Sequence, residues 1–189
     1  FTDVSIESGI AAHPGTAMGV VCADYDQDGD TDIIVGNDAM MNFVWENNGK
    51  GQFKQVSLLS GLAYDSHGVG QGTMGLDCAD FDNDGQLDIY VANGRVRLGT
   101  GTNLLSVDPF AEANSLSRGL GGGRFAAVSP EGGTTPLLEA TSRGLAVGDL
   151  DNDGAQDLVV LNRDGPVHLL RNISAPDRGW IRIALYGHR

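Results

Sequence analysis

Nine residues recur three times in this chain: DYDQDGDTD at 24–32, DFDNDGQLD at 80–88 and DLDNDGAQD at 149–157. In every copy positions 1, 3, 5 and 9 are Asp and position 6 is Gly. Carboxylates at that density push a loop open unless something positive sits among them, and the whole chain already carries a formal net charge of −13. The alternation aims the first three side chains into one concavity, and the Gly permits the tight reversal that wraps a loop around it. Oxygen-only, flexible and highly charged sites suit Ca²⁺. Mg²⁺ demands stricter octahedral geometry, and Zn²⁺ prefers the His and Cys that these loops lack. The pattern therefore points to three calcium ions.

The EF-hand begins with a similar run but needs a bidentate Glu at position 12 and flanking helices. Position 12 here is Val35, Val91 or Val160, inside a strand-like segment, and the fourth carboxylate arrives at position 9. These are strand-loop-strand sites. The first is expected to use Asp24, Asp26, Asp28 and Asp32 with the carbonyl of Asp30. The second would use Asp80, Asp82, Asp84 and Asp88 with the Gln86 carbonyl. The third would use Asp149, Asp151, Asp153 and Asp157 with the Ala155 carbonyl.

The repeat is longer than the motif, and a period of this size decides the architecture. FTDVSIESG (1–9), FKQVSLLSG (53–61) and FAAVSPEGG (125–133) precede the three clusters by 23, 27 and 24 residues, counted from Phe to first Asp. GVVCADY, GLDCADF and GLAVGDL enter the motifs, while DIIVGN, DIYVAN and DLVVLN leave them. Each is a short apolar run bounded by Gly, Asn or Asp, as strands are. NFVWEN and VHLLRN read as third strands, QFKQVS and RFAAVS as fourth ones, FTDVS as an outer strand without its own blade, and no segment carries a helical stripe. The expected fold is all-β: about three four-stranded antiparallel units of propeller-blade size, at roughly 1–52, 53–124 and 125–175. The middle unit carries an insertion within 95–123, a Gly- and Ser-rich stretch expected to be a surface loop that contributes to a contact surface through the basic Arg95, Arg97 and Arg118 and an exposed apolar patch of Leu104, Leu105, Val107 and Phe110. Residues 176–189 form either a last blade strand or the start of a further domain.

Composition narrows the function. With 28 Gly and only 6% aromatics in 189 residues, many turns are favoured over long helices. An excess of 25 acidic over 12 basic residues argues against nucleic acid or an anionic membrane as partner. No apolar run approaches the roughly 20 residues of a membrane helix, and no basic-then-apolar leader opens the sequence. Cys22 and Cys78 occupy one position in two repeats, where the third has Val147; they are expected to be free, buried thiols. His13, His67, His168 and His188 do not cluster, and neither a G-x-S-x-G elbow nor a phosphate loop is present, so no catalytic site is expected.

The aspartate motif, with F-x-x-V-S-x-x-S-G before it and R-N or E-N-N-G after it, resembles the FG-GAP or VCBS repeats of integrin-type β-propellers. More narrowly it is similar to the CRTAC1-like secreted proteins with an ASPIC/UnbV tail. RGWIRIALYGHR at the end resembles the first strand of that tail. The resemblance covers residues 1–172 and implies calcium-binding blades of a ring of about seven. Three repeats do not close such a ring, so this is a partial propeller whose open flanks are expected to be covered by other blades or by a protein partner. A non-catalytic, calcium-stabilised interaction or scaffold module, extracellular, periplasmic or at the cell surface, is the expected function. The alternative is an accessory, carbohydrate-binding module of a secreted enzyme.

Overall fold

The computed structural model describes residues 1–96 and 108–174, together with Gly187. Three antiparallel sheets follow one another along the chain. In the first, β1 (Ala17–Ala23), β2 (Asp32–Asn37), β3 (Phe43–Asn47) and β4 (Phe53–Gln55) lie side by side in chain order. The second places β5 (Thr73–Ala79), β6 (Asp88–Asn93), β8 (Ser115–Gly119) and β9 (Phe125–Ala127) in the same way. A separate short ribbon pairs β7 (Glu112–Ala113) with β10 (Glu139–Ala140). The third sheet holds β11 (Ser142–Gly148), β12 (Asp157–Asn162) and β13 (His168–Leu170). The all-β expectation holds, and each sheet has the up-and-down order of a propeller blade. The outer strands β4 and β9 come from the Phe segments that open the next sequence repeat. The one α-helix among the described residues, α1 (Ser57–Ser60), is a single turn.

Strand alternation builds two seams between the sheets. On β6, Ile89 and Val91 face the first sheet and join Tyr25, Ile34, Val44, Val56, Leu62, Leu76 and Phe125 in one core. Tyr90 and Ala92, on the opposite face, join Phe81, Leu158 and Val160 in a second. A middle blade must be apolar on both faces, which is why DIYVAN is buried along its whole length. The first strands run closest together. A Cβ at Gly19 would stand 3.0 Å from the Met74 carbonyl oxygen, and one at Gly75 would stand 3.1 Å from the Leu145 nitrogen. Each of these strands also shifts register at the same place, at Ala17/Gly19, Thr73/Gly75 and Ser142/Gly144.

Three expectations are revised. The 95–123 stretch is not one loop, because its C-terminal part supplies β7 and β8, the latter being the third strand of the second blade. The base of the insertion is tied down. Arg95 pairs with Glu112 at 2.5 Å, the Asn93 N–H donates to Asn114 Oδ1, and the Arg143 guanidinium donates to the carbonyls of Gly94 and Arg95. The Arg163 guanidinium lies over the Phe110 ring at 5.0 Å, so Arg95 and Phe110 are not part of an open patch. Arg97, Leu104, Leu105 and Val107 lie outside the described residues. FTDVS is irregular rather than an outer strand, with turns beginning at Ser5, since among the described residues no third strand stands beside it. Cys22 and Cys78 are free as expected, but Cys22 is exposed: its position faces the neighbouring blade, and only Cys78 and Val147 have one to face. Of the WIRIALYG segment, all but Gly187 lies outside the described residues.

Candidate metal centres

Each aspartate loop links the first and second strands of its blade and has the same local build. The residue at position 4 takes a left-handed conformation, Gln27, Asn83 and Asn152 with φ of 65°, 56° and 61°. Asn tolerates that region better than most residues. Gly29, Gly85 and Gly154 at position 6 have φ of 97°, 90° and 90°, which is strained for anything with a Cβ. These two reversals turn backbone N–H groups inward. Asp24 Oδ1 accepts from the Asp28 N–H at 3.1 Å and Oδ2 from the Gly29 N–H at 3.1 Å. Asp80 does the same with Asp84 and Gly85, and Asp149 with Asp153 and Gly154.

The carboxylates at positions 1, 3 and 9 converge. One oxygen from each of Asp24, Asp26 and Asp32 lies within 4.8 Å of the others, and the same holds for Asp80, Asp82 and Asp88 and for Asp149, Asp151 and Asp157. The ninth Asp starts the second strand and is almost fully buried, with Asp32, Asp88 and Asp157 at 0%, 2% and 2% exposure. It also clamps the blade, because its Oδ1 accepts the N–H of Asn47, Gly119 or Asn172 at 2.8 Å in all three copies. The position-5 carboxylates of Asp28, Asp84 and Asp153 stand outside the converging sets. Their Oδ1 atoms accept the N–H of position 7, Asp30, Gln86 and Ala155, each at 2.9 Å. Neighbouring blades touch at this end: Gln27 Nε2 of the first loop donates to the Gly85 carbonyl of the second at 2.6 Å, and Asn172 Nδ2, whose backbone N–H holds Asp157 of the third loop, donates to the Phe81 carbonyl of the second at 2.7 Å. The three loops therefore share one face of the blade row.

Electrostatics separates the copies. Burial above all, then the neighbouring carboxylate of Asp26, pushes the Asp32 carboxyl up to about 6 against the pull of the Asn47 N–H. Burial likewise raises Asp88 and Asp26. Asp153 is lowered, by the Ala155 N–H and by Arg171. Two residues that the motif does not single out as site residues stand against the second and third loops, and one of them, Arg171, contributes to the lowering of Asp153. Arg118 spans Asp82 and Asp84 at 2.8 and 2.6 Å, and Arg171 spans Asp151 and Asp153 at 2.6 and 3.0 Å. Their one signal in the sequence is the R-N dipeptide that closes the third repeat, which shares its place with E-N in the first. In the first loop, Asp32 Oδ2 is buried and closes no full hydrogen bond, the Tyr25 N–H pulling on the carboxyl only loosely. A buried, under-satisfied carboxylate oxygen beside two converging ones fits a hard cation, so the donor set present agrees with calcium.

The histidines sit apart from these loops among the described residues. His13 packs edge-on against Trp45, 5.3 Å between ring centroids, while His67 meets Ser66 and His168 meets Asn162. His188 lies outside the described residues.

Comparison with known proteins agrees with this build. Residues 24–91 match the FG-GAP-like repeat family. Cartilage acidic protein 1 of Homo sapiens is 26% identical over 97% of this chain, which spans 26% of that protein. The Mus musculus and Xenopus tropicalis proteins of that name are each 25% identical over 97% of the chain, which spans 27% of them. This chain thus spans about a quarter of the length of these relatives. A solved Agrocybe aegerita lectin that recognises non-reducing terminal N-acetylglucosamine shares 22% identity over 82% of this chain and 52% of its own, with a TM-score of 0.30. The chain carries FG-GAP-like repeat sequence and resembles the CRTAC1-like proteins along nearly its whole length.

Proposed function

We propose that these 189 residues are a non-catalytic, calcium-stabilised interaction module that works outside the cell as part of a larger propeller. The observation that carries the reading is the threefold convergence of carboxylate oxygens within 4.8 Å, each set anchored by a buried Asp that also holds the third strand of its blade. Joining the metal loop to the strand ladder through one side chain makes ion binding and blade folding one event. Asp24, Asp26, Asp28 and Asp32 with the Asp30 carbonyl would hold the first ion. Asp80, Asp82, Asp84 and Asp88 with the Gln86 carbonyl would hold the second. Asp149, Asp151, Asp153 and Asp157 with the Ala155 carbonyl would hold the third. The ions would neutralise the loops and fix their shape; the chain's own groups orient the strands around them.

Extracellular location is supported by the similarity to FG-GAP repeats and by calcium itself, since roughly millimolar levels outside cells saturate sites too weak for the cytosol. Among the described residues no helix is long and apolar enough to cross a membrane. Among the described residues, nothing covers the outer faces of the first and third blades. Val20 is 63% exposed on one, and Leu150, Leu161 and Leu169 are 51%, 49% and 64% exposed on the other. Faces of that kind require covering, and further blades of a longer polypeptide are the occupant that the coverage of the relatives favours.

Calorimetric titration of the chain should register three calcium ions, and EDTA should lower its melting temperature by about 10 °C or more, on the order of what a 2–4 kcal/mol linkage gives at this size. Equal melting curves with and without chelator would sink the reading. Asp88→Asn should remove one ion and loosen the second blade, measured as faster amide exchange at Gly119.

A further inference from the structure

We propose that Arg118 and Arg171 are built-in counter-ions of the second and third aspartate loops, so that cation affinity is graded and strongest at the first loop, where Glu46 stands in the arginine's place. The proposal rests on reading the loops as calcium sites.

The three positions are equivalent by backbone geometry. Glu46, Arg118 and Arg171 each directly precede the residue whose N–H donates to the ninth Asp at 2.8 Å. Ile33 faces Trp45, Ile89 faces Ser117 and Leu158 faces Leu170 across the same strand pair. Yet only the second and third loops receive a cation there. Both arginines grip the same two motif positions, Asp82 with Asp84 and Asp151 with Asp153, through Nε and Nη2. The remaining oxygens of those carboxylates are already taken by loop N–H groups. In these two loops the ninth Asp is satisfied as well, Asp88 Oδ2 by the Phe81 N–H and Asp157 Oδ2 by the Leu150 N–H.

The first loop lacks this arrangement. Among the described residues no cationic side chain pairs with Asp24, Asp26, Asp28 or Asp32 at salt-bridge distance, and the buried Asp32 Oδ2 closes no full hydrogen bond, the Tyr25 N–H pulling on this carboxyl only loosely. A guanidinium fork matches two carboxylates well, so a divalent ion entering the second or third loop must draw the position-3 and position-5 carboxylates away from it. The arginine side chains are 50% and 65% exposed, so they can swing into water when an ion arrives. As calcium falls, the second and third loops should empty first and keep their shape on arginine. The first should hold its ion longest and depend on it most.

Calcium titration of the full chain at fixed ionic strength tests this. One site should bind about threefold to tenfold more tightly than the other two, the scale of the two exposed ion pairs that each arginine gives up. Arg118→Ala and Arg171→Ala should each tighten one weak site, and Glu46→Arg should weaken the tight one. If Arg118→Ala folds only with calcium present, the counter-ion role is equally supported, because the ion then supplies the missing charge. If it folds in neither condition, Glu46→Arg decides: a weakened tight site upholds the proposal and an unchanged one overturns it. Three ions bound with a single affinity, or arginine variants that titrate like the parent, would overturn the grading while leaving calcium binding intact. Absence of any calcium binding would overturn both.

Discussion

Asp32 concentrates the chemistry of the first loop: it is wholly buried, one oxygen holds Asn47, the other closes no full hydrogen bond, and its carboxyl is pushed up to about 6. A carboxylate raised in the folded state binds its proton more tightly there than in the unfolded chain. Its stabilising contribution is complete below the ordinary value of about 4 and is lost as pH rises through about 6. In EDTA, the melting temperature should therefore fall between about pH 4 and about pH 6.5 by more in the parent than in Asp32→Asn. An equal slope for both would show that this carboxyl does not set the pH dependence. Calcium should weaken that dependence, because the ion takes the place of the proton.

At the second position of the motif, one strand-and-loop element meets three different fates. Tyr25 and Phe81 are 4% and 6% exposed in the two seams, while Leu150 is 51% exposed at the edge of the row. Phe81→Ala should cost about 3–5 kcal/mol by leaving a cavity between the second and third blades. Leu150→Ala should change stability by less than about 0.5 kcal/mol, as surface substitutions do. Urea unfolding of the two variants checks both, and a large loss at Leu150 would mean that its face is covered in the isolated chain. Elements also differ in how clearly they read. DIYVAN announces itself through apolar residues on both faces, whereas β8 (Ser115–Gly119) does not. Its SLSRG sequence sits in a Gly- and Ser-rich insertion, and it is a strand because β6 and the Asp88 carboxylate offer it a ladder to complete.

Over the molecule as a whole, the described residues of the three blades give two filled seams and two bare flanks, and the thiols report on a flank and a seam. Cys22 is exposed on the first flank; Cys78, at the same repeat position, packs against the first seam, and burial pushes its thiol up to about 11. Ellman's reagent should label one thiol rapidly in the native chain and the second only on unfolding. In a longer polypeptide that supplies the preceding blade, Cys22 should become protected. Rapid labelling of Cys22 in such a longer chain would count against covering of that flank by blades. Three bound calcium ions would bring six positive charges to a chain of formal charge −13, so chelation should raise its self-repulsion and its salt dependence together.

The blade architecture and the position of every metal-ligating candidate are legible in the sequence alone, because repetition exposes spacing and the motif needs Asp and Gly at fixed positions for reasons internal to nine residues. The strand runs are legible for the same reason, since alternation and turn residues are local. The counter-ions are not. Arg118 lies 34 residues from Asp84 and Arg171 lies 18 from Asp153, so their role, like that of Glu46 in the first blade, depends on which strands pair. The fates of Cys22 against Cys78 and of Leu150 against Phe81 depend on whether a neighbouring blade stands on that side, and an identical repeat position cannot encode that. Local chemistry writes the loop; packing between blades decides which faces are core and which loops come with their own positive charge.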